Sequence, residues 1–185
     1  MGSLIASSLA SLDGFIADRD ERFDWAEPDA EVHLFVNDLE RSVGTYLLGR
    51  RLYEVMVVWE TVELEGEPDH IRGFAELWRA ADKIVYSSTL TSVTGSGARL
   101  ERDFDPEAIR ALKTSTDRDL AIGGPGLASH AFRAGLVDEV RLFLAPVVVG
   151  GGTRFFPDGL RIDLELVETR RFGNGMVFVR HRVRP

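Results

Sequence analysis

Residues 119–156 run DLAIGGPGLASHAFRAGLVDEVRLFLAPVVVGGGTRFF, and this stretch decides the fold class. Leu120-Ala121-Ile122 is a short apolar run bounded by charge, the pattern of a buried strand. Gly123-Gly124-Pro125-Gly126 then lets the backbone approach a ligand closely, before Leu127 to Ala134 continues at helical spacing. The first amides of such a helix have no partner within it and suit phosphate oxygens. Gly123, Gly124, Gly126 and Leu127 are therefore candidate ligand residues. A bare strand-to-helix turn competes with that, because the stretch matches neither G-x-G-x-x-G nor G-x-x-x-x-G-K-[ST]. Val137 to Val149 is apolar, valine-rich and interrupted by charge, which predicts a long strand rather than more helix.

The 185 residues, 44% of them hydrophobic, suffice for one sizeable core and predict a single domain over 1–185. A net charge of −8 and a pI near 5.0 argue against nucleic acid or anionic membrane as the main partner, since both require a basic face. The chain has no cysteine, which excludes disulfides, thiolate zinc sites, a cysteine nucleophile and the zinc deaminase pattern, and fits the cytoplasm. His70, His130 and His181 are isolated and lack ligand spacing, so no metal is expected. Near the start of the chain Asp13 interrupts the apolar run too early for a signal or membrane helix, and a first strand is expected instead.

Strands are predicted over Ser3 to Leu9, Tyr46 to Leu48, Lys83 to Tyr86 and, at an edge, Ala98 to Phe104. Helices are predicted from Pro28-Asp29 through Arg41, over Leu52 to Val58, over Ile71 to Ala81, and from Asp105-Pro106-Glu107 onward. Phe23 and Trp25 lie in the charged segment 18–27, which predicts a loop folded over something apolar. Gly173-Asn174-Gly175 joins two closing strands, Leu164 to Phe172 and Met176 to Val183, as a hairpin. Strand and helix alternate to about residue 136, so the chain is α/β with a mostly parallel sheet and an antiparallel C-terminal edge. Three strands end in residues suited to an anion: Gly49-Arg50-Arg51, Ser87-Ser88-Thr89 and Gly123-Gly124. In such sheets ligands sit beyond the carboxyl ends of the strands. The 140–149 strand is apolar on both faces, so it needs cover from a symmetric second copy or from helices of its own chain.

SLDGFIA at 11–17, LLGRRLYE at 47–54, KIVYSSTL at 83–90, AIGGPGLASHAFRAGLVDEVRLFLAPVVVGGGTRFF at 121–156 and the hairpin resemble the dihydrofolate reductase-like fold family. The resemblance points to the riboflavin biosynthesis reductase branch (RibD C-terminal domain), as a stand-alone member. It implies a three-layer α/β/α domain with a mixed, mostly parallel central sheet, and an NADPH-dependent reductase acting on a small heterocyclic substrate. The substrate most like the family's is 5-amino-6-(5-phosphoribosylamino)uracil. Dihydrofolate or pterin reduction, and an inactive nucleotide-binding dimer, are the alternatives; NADH is the alternative cofactor, and a homodimer is expected. In family terms Ala17 lies beside the nicotinamide, Gly49, Arg50 and Arg51 open a helix under the phosphates, Ser87 and Ser88 hold the adenosine ribose and its 2′-phosphate, and Gly123 to Leu127 line the diphosphate. Many relatives carry arginine where Ser88 stands and threonine where Leu52 stands. The substrate-binding carboxylate of dihydrofolate reductases falls near His33, which either donates a proton or is an ordinary helix histidine. Asp13 is either a second catalytic candidate or turn chemistry before Gly14. Trp25 and Leu9 are expected to wall the substrate pocket.

Overall fold

The computed structural model describes residues 1–184. In chain order they form β1 (Leu4–Ser11), β2 (Phe15–Ala17), α1 (Ala30–Glu40), β3 (Val43–Gly49), α2 (Arg50–Met56), α3 (Asp69–Ala80), β4 (Asp82–Tyr86), β5 (Ala98–Glu101), α4 (Pro106–Ser115), β6 (Asp119–Gly123), α5 (Pro125–Arg133), β7 (Glu139–Ala145), β8 (Thr153–Arg154), β9 (Leu164–Arg171) and β10 (Val177–Val183). Eight strands make one sheet in the order β5-β4-β3-β6-β1-β7-β10-β9. The first six run parallel, and β10 runs antiparallel to both its neighbours.

Alternation along the strands distributes the core over both faces. Leu47, Ile84, Leu120 and Ile122 face α4 and α5, meeting Ile109, Leu127, Ala131 and Phe132. Tyr46, Leu48, Val85 and Ala121 face the other way, onto Tyr53 of α2 and Phe74 and Trp78 of α3. Farther along that face, Phe143, Phe172 and Phe178 pack with Val32 and Phe35 of α1. The result is the three-layer α/β/α architecture. Helix starts obey local chemistry: Asp29 Oδ1 accepts from Val32 N at 3.0 Å to cap α1, and Asp105 Oδ1 accepts from Glu107 N at 2.9 Å ahead of Pro106 in α4.

The 137–149 run is not one strand. Leu136 and Val137 are buried before β7 begins, β7 spans seven residues, and after Pro146 the chain leaves the sheet, so that Val148 is 66% exposed. Apolar continuity here covers a buried turn, a strand and a departing loop. β7 lies between β1 and β10 and is no edge: Val140 packs on the α4/α5 side and Phe143 and Ala145 on the α1 side. Its two apolar faces are thus covered by the same chain, which removes the physical ground for a partner copy at this strand. Other boundaries shift less. β1 continues to Ser11, α2 starts at Arg50, and β5 stops at Glu101 while Phe104 turns back to stack near Tyr86 and His130.

Candidate functional site

β3 and β6 are neighbours, and each runs straight into a helix. Leu48 pairs with Gly123, so the two strand-to-helix turns sit side by side. A Cβ on Gly124 would lie 3.3 Å from both Cα and N of Gly49, and Gly124 has φ +93°, a backbone conformation that L side chains rarely adopt. Gly124 and Gly49 are the N-caps of α5 and α2, with no side-chain cap at either, unlike α1 and α4. Two sets of free helix amides therefore converge where two glycines let the backbones close in, a cradle that fits a dinucleotide diphosphate. Leu52 closes the rear: its Cδ2 lies 2.3 Å from where a Gly123 Cβ would stand. Gly126 is exposed, whereas Leu127 is buried in the core beneath the turn.

The cations have contacts of their own. Arg50 Nε is 3.8 Å from Glu54 Oε1, and Arg51 Nη1 meets Glu21 Oε1 at 2.9 Å, all on exposed side chains. Such pairs are weak in water and yield readily to a phosphate. Ser87 is buried, and its Oγ accepts from the amides of Thr89 and Leu90 at 3.2 and 3.0 Å. Its hydroxyl thus shapes the loop in which the exposed Ser88 sits.

A second platform lies beyond β1. β2 pairs antiparallel with β8, Ala17 opposite Thr153, a small sheet that no period in so short a sequence announces. The triple glycine is pressed against it: a Gly152 Cβ would lie 2.1 Å from the Ala17 carbonyl oxygen. Asp13 fastens the same loop, accepting from Val149 N at 3.2 Å and Gly150 N at 2.8 Å. The Ser11 hydroxyl above all, opposed by burial and aided by these amides, holds its carboxyl below the usual carboxylate range. Asp13 is thus an ionised clamp joining residues far apart in sequence, a contact that neither the catalytic reading nor the local-turn reading of it contained. Trp25 Nε1 donates to Arg22 O at 3.2 Å, and its ring shares a cluster with Leu9. The two expected wall residues therefore pack against the same cluster, while Phe23 stays 52% exposed.

His33 is half-buried on the side of α1 that packs on α3. Its ring lies 5.1 Å from His70, 5.6 Å from Phe74 and 6.0 Å from Trp59, and its Nδ1 is buried with no hydrogen-bond partner. Burial, with His70 second, lowers its pKa, so the ring is neutral at neutral pH. The neighbouring acids are engaged elsewhere: Asp29 caps α1, and Glu31 Oε2 accepts from Gly173 N at 3.0 Å.

Two arginines went unnoticed in the sequence. Arg154 stacks over Phe15 at 4.7 Å and lines a cavity of about 260 Å³ with Pro125, Gly152, Phe156, Pro157 and Asp158, at the start of α5. Arg102 reaches the Ser87 loop from the end of β5. Both depend on strand pairings between distant segments, and the charges alone carried no periodic signal.

The family model of the RibD C-terminal domain matches residues 3–178. The uncharacterized protein YyaP of Bacillus subtilis is 31% identical over 177 residues, covering 94% of this chain and 91% of its own. Among solved structures, a diaminohydroxyphosphoribosylaminopyrimidine deaminase/5-amino-6-(5-phosphoribosylamino)uracil reductase of Thermotoga maritima superposes with a TM-score of 0.69 at 19% identity, over 99% of this chain and 57% of its own. Dihydrofolate reductase of Enterococcus faecalis, in complex with NADP(H), superposes with a TM-score of 0.65 at 17% identity, over 100% of this chain and 98% of its own.

Proposed function

Because the chain belongs to the RibD C-terminal domain family, we propose that it is an NADPH-dependent reductase that passes hydride to a small heterocyclic substrate. A ribosylated aminopyrimidine like 5-amino-6-(5-phosphoribosylamino)uracil comes first among the candidates. The observation that carries this reading is the closure of Gly49 on Gly124 between two uncapped helix starts, which suits a diphosphate and would be idle in a binder of neutral ligands. The Thermotoga reductase and the NADP(H)-bound dihydrofolate reductase share the fold, which supports the class of chemistry.

Hydride transfer is what the nicotinamide supplies when bound. The protein's task is to hold and screen. Free amides of α2 and α5 with Arg50 would hold the diphosphate, Ala17 and the loop clamped by Asp13 would line the nicotinamide end, and Leu9 and Trp25 would provide an apolar wall that keeps water out. His33 is a neutral ring packed among His70, Phe74 and Trp59 rather than an anchor for an amidine. Pterin reduction is therefore the weaker alternative, because a neutral ring cannot balance the cation that a carboxylate would.

The test is loss of NADPH absorbance in the presence of the aminopyrimidine, of dihydrofolate, or of neither. Turnover with the pyrimidine alone is expected. Turnover with dihydrofolate alone would transfer the chain to pterin chemistry, and none with either would leave a nucleotide binder.

A further inference from the structure

Where α1 meets α3, a group of polar side chains gathers that the turns at Gly49 and Gly124 do not use. His33 and Asn37 stand one turn apart on the same face of α1. Asn37 is 4% exposed, and its Nδ2 donates at 2.8 Å to the carbonyl oxygen of His70, the second residue of α3. The helices come this close because residue 73 has no side chain: a Gly73 Cβ would stand 3.0 Å from that same Nδ2. The His70 ring then lies 5.1 Å from the His33 ring, centroid to centroid, with the two planes at 61°. Spacing along the chain announces none of this.

Two atoms of the group are left over. His33 Nδ1 and Asn37 Oδ1 are both buried and have no hydrogen-bond partner among the described residues, which is uncommon for buried polar atoms. An imidazole nitrogen without a proton and an amide oxygen both offer electron pairs. The ring spacing matches what a shared metal ion requires. Imidazole nitrogen binds zinc at about 2.0–2.1 Å, which puts each ring centroid about 3.2 Å from the ion, so two rings at the tetrahedral angle have centroids about 5.2 Å apart. Burial keeps His33 neutral, as a metal ligand must be. Both rings are only half-buried, so an ion reaches them from solvent, and a net charge of −8 favours its approach. Among the described residues no cluster of three His, Cys, Asp or Glu side chains forms, so two imidazoles and an amide leave one position to water.

We propose that His33 and His70, with Asn37 Oδ1 as third donor, bind one zinc-like divalent transition ion that pins α3 to α1. Imidazole suits zinc, nickel and copper, whereas magnesium and calcium prefer oxygen. The site shares no residue with the turns at Gly49 and Gly124, so it stands or falls apart from the nucleotide reading.

The test is calorimetric titration of Zn2+ into the chelator-treated full chain and its His33→Ala, His70→Ala and Asn37→Leu variants. A control carries His130→Ala and His181→Ala, which removes the other two of the four histidines. The parent and the control should take up one ion per chain, show the visible bands of tetrahedral Co2+ when cobalt replaces zinc, and melt at a higher temperature with Zn2+ than without. Each of the three site variants should bind at least about tenfold more weakly, since even a supporting residue of a metal site is worth that much. His70→Ala keeps the backbone carbonyl that Asn37 holds, so it carries the test if another variant fails to fold. No saturable uptake by the parent at sub-millimolar Zn2+ would overturn the proposal and leave an aromatic cluster bridged by water. An affinity unchanged in any folded site variant, or an equal loss in the control, would overturn it as well.

Discussion

Gly124 shows what one residue can be asked to do. Its φ of +93° and the 3.3 Å approach of Gly49 exclude a branched side chain on two separate grounds. Gly124→Val should cost on the order of 1–3 kcal/mol in stability and abolish NADPH binding in a variant that still melts cooperatively. Binding equal to the parent's would reduce the glycines to a turn. His33 makes a different prediction. Its pKa is depressed in the folded chain by burial and by His70, so folding favours the neutral ring. Its contribution to stability is therefore intact above the ordinary value of about 6.5 and is lost as pH falls below that value and through the folded one. An NMR titration should give a His33 midpoint below 6.5, and a midpoint at or above it would contradict the burial. At this scale the sequence was legible wherever backbone geometry dictates residue type, as at Gly123-Gly124. It was illegible at Asp13, whose carboxylate serves amides at 149 and 150, because no local pattern records a contact across so many residues.

Elements were legible where a period was long and its ends were marked. α1 with its Asp29 cap, α4 with Asp105-Pro106, and the hairpin at Gly173-Asn174-Gly175 all fall where the sequence puts them. β7 was overextended because burial, not pairing, makes residues apolar, and Leu136, Val137 and Val147 are sheltered outside the strand. The start of β4 depends on Lys83, which the sequence marks only as the first residue of a strand. Lys83 is 1% exposed, pairs with Glu60 at 2.8 Å and donates to the carbonyls of Trp78, Ala81 and Ser96, so it joins β4 to the end of α3 and to the turn before β5. Lys83→Met should strand Glu60 and three carbonyls, at a cost of about 3–5 kcal/mol, seen as a lower denaturation midpoint in urea with an unchanged slope. A shift within about 0.5 kcal/mol, the range of an ordinary surface substitution, would mean that the pair is replaceable.

At the scale of the whole molecule, the parallel strands aim six carboxyl ends at one rim, and the site's glycines and arginines belong to that rim. The sheet has two edges, β5 and β9. β9 exposes Leu166 at 57% and Val167 at 39%, and β10 exposes Val177 at 37% at the hairpin end of the pair, so exposed apolar side chains that a second copy would cover lie at this edge rather than at β7. We expect light scattering to give twice the 20.6 kDa of one chain, and a mass of one chain at every concentration would rule the dimer out.

We propose that the turns opening α2 and α5 together hold a nicotinamide dinucleotide. Calorimetric titration of NADPH into the parent and into Arg50→Ala addresses it most directly. Saturable binding at one nucleotide per chain, weakened about tenfold by loss of one phosphate contact in the variant, is the predicted result. No heat of binding to the parent at millimolar NADPH, or an affinity untouched by the substitution, would contradict it.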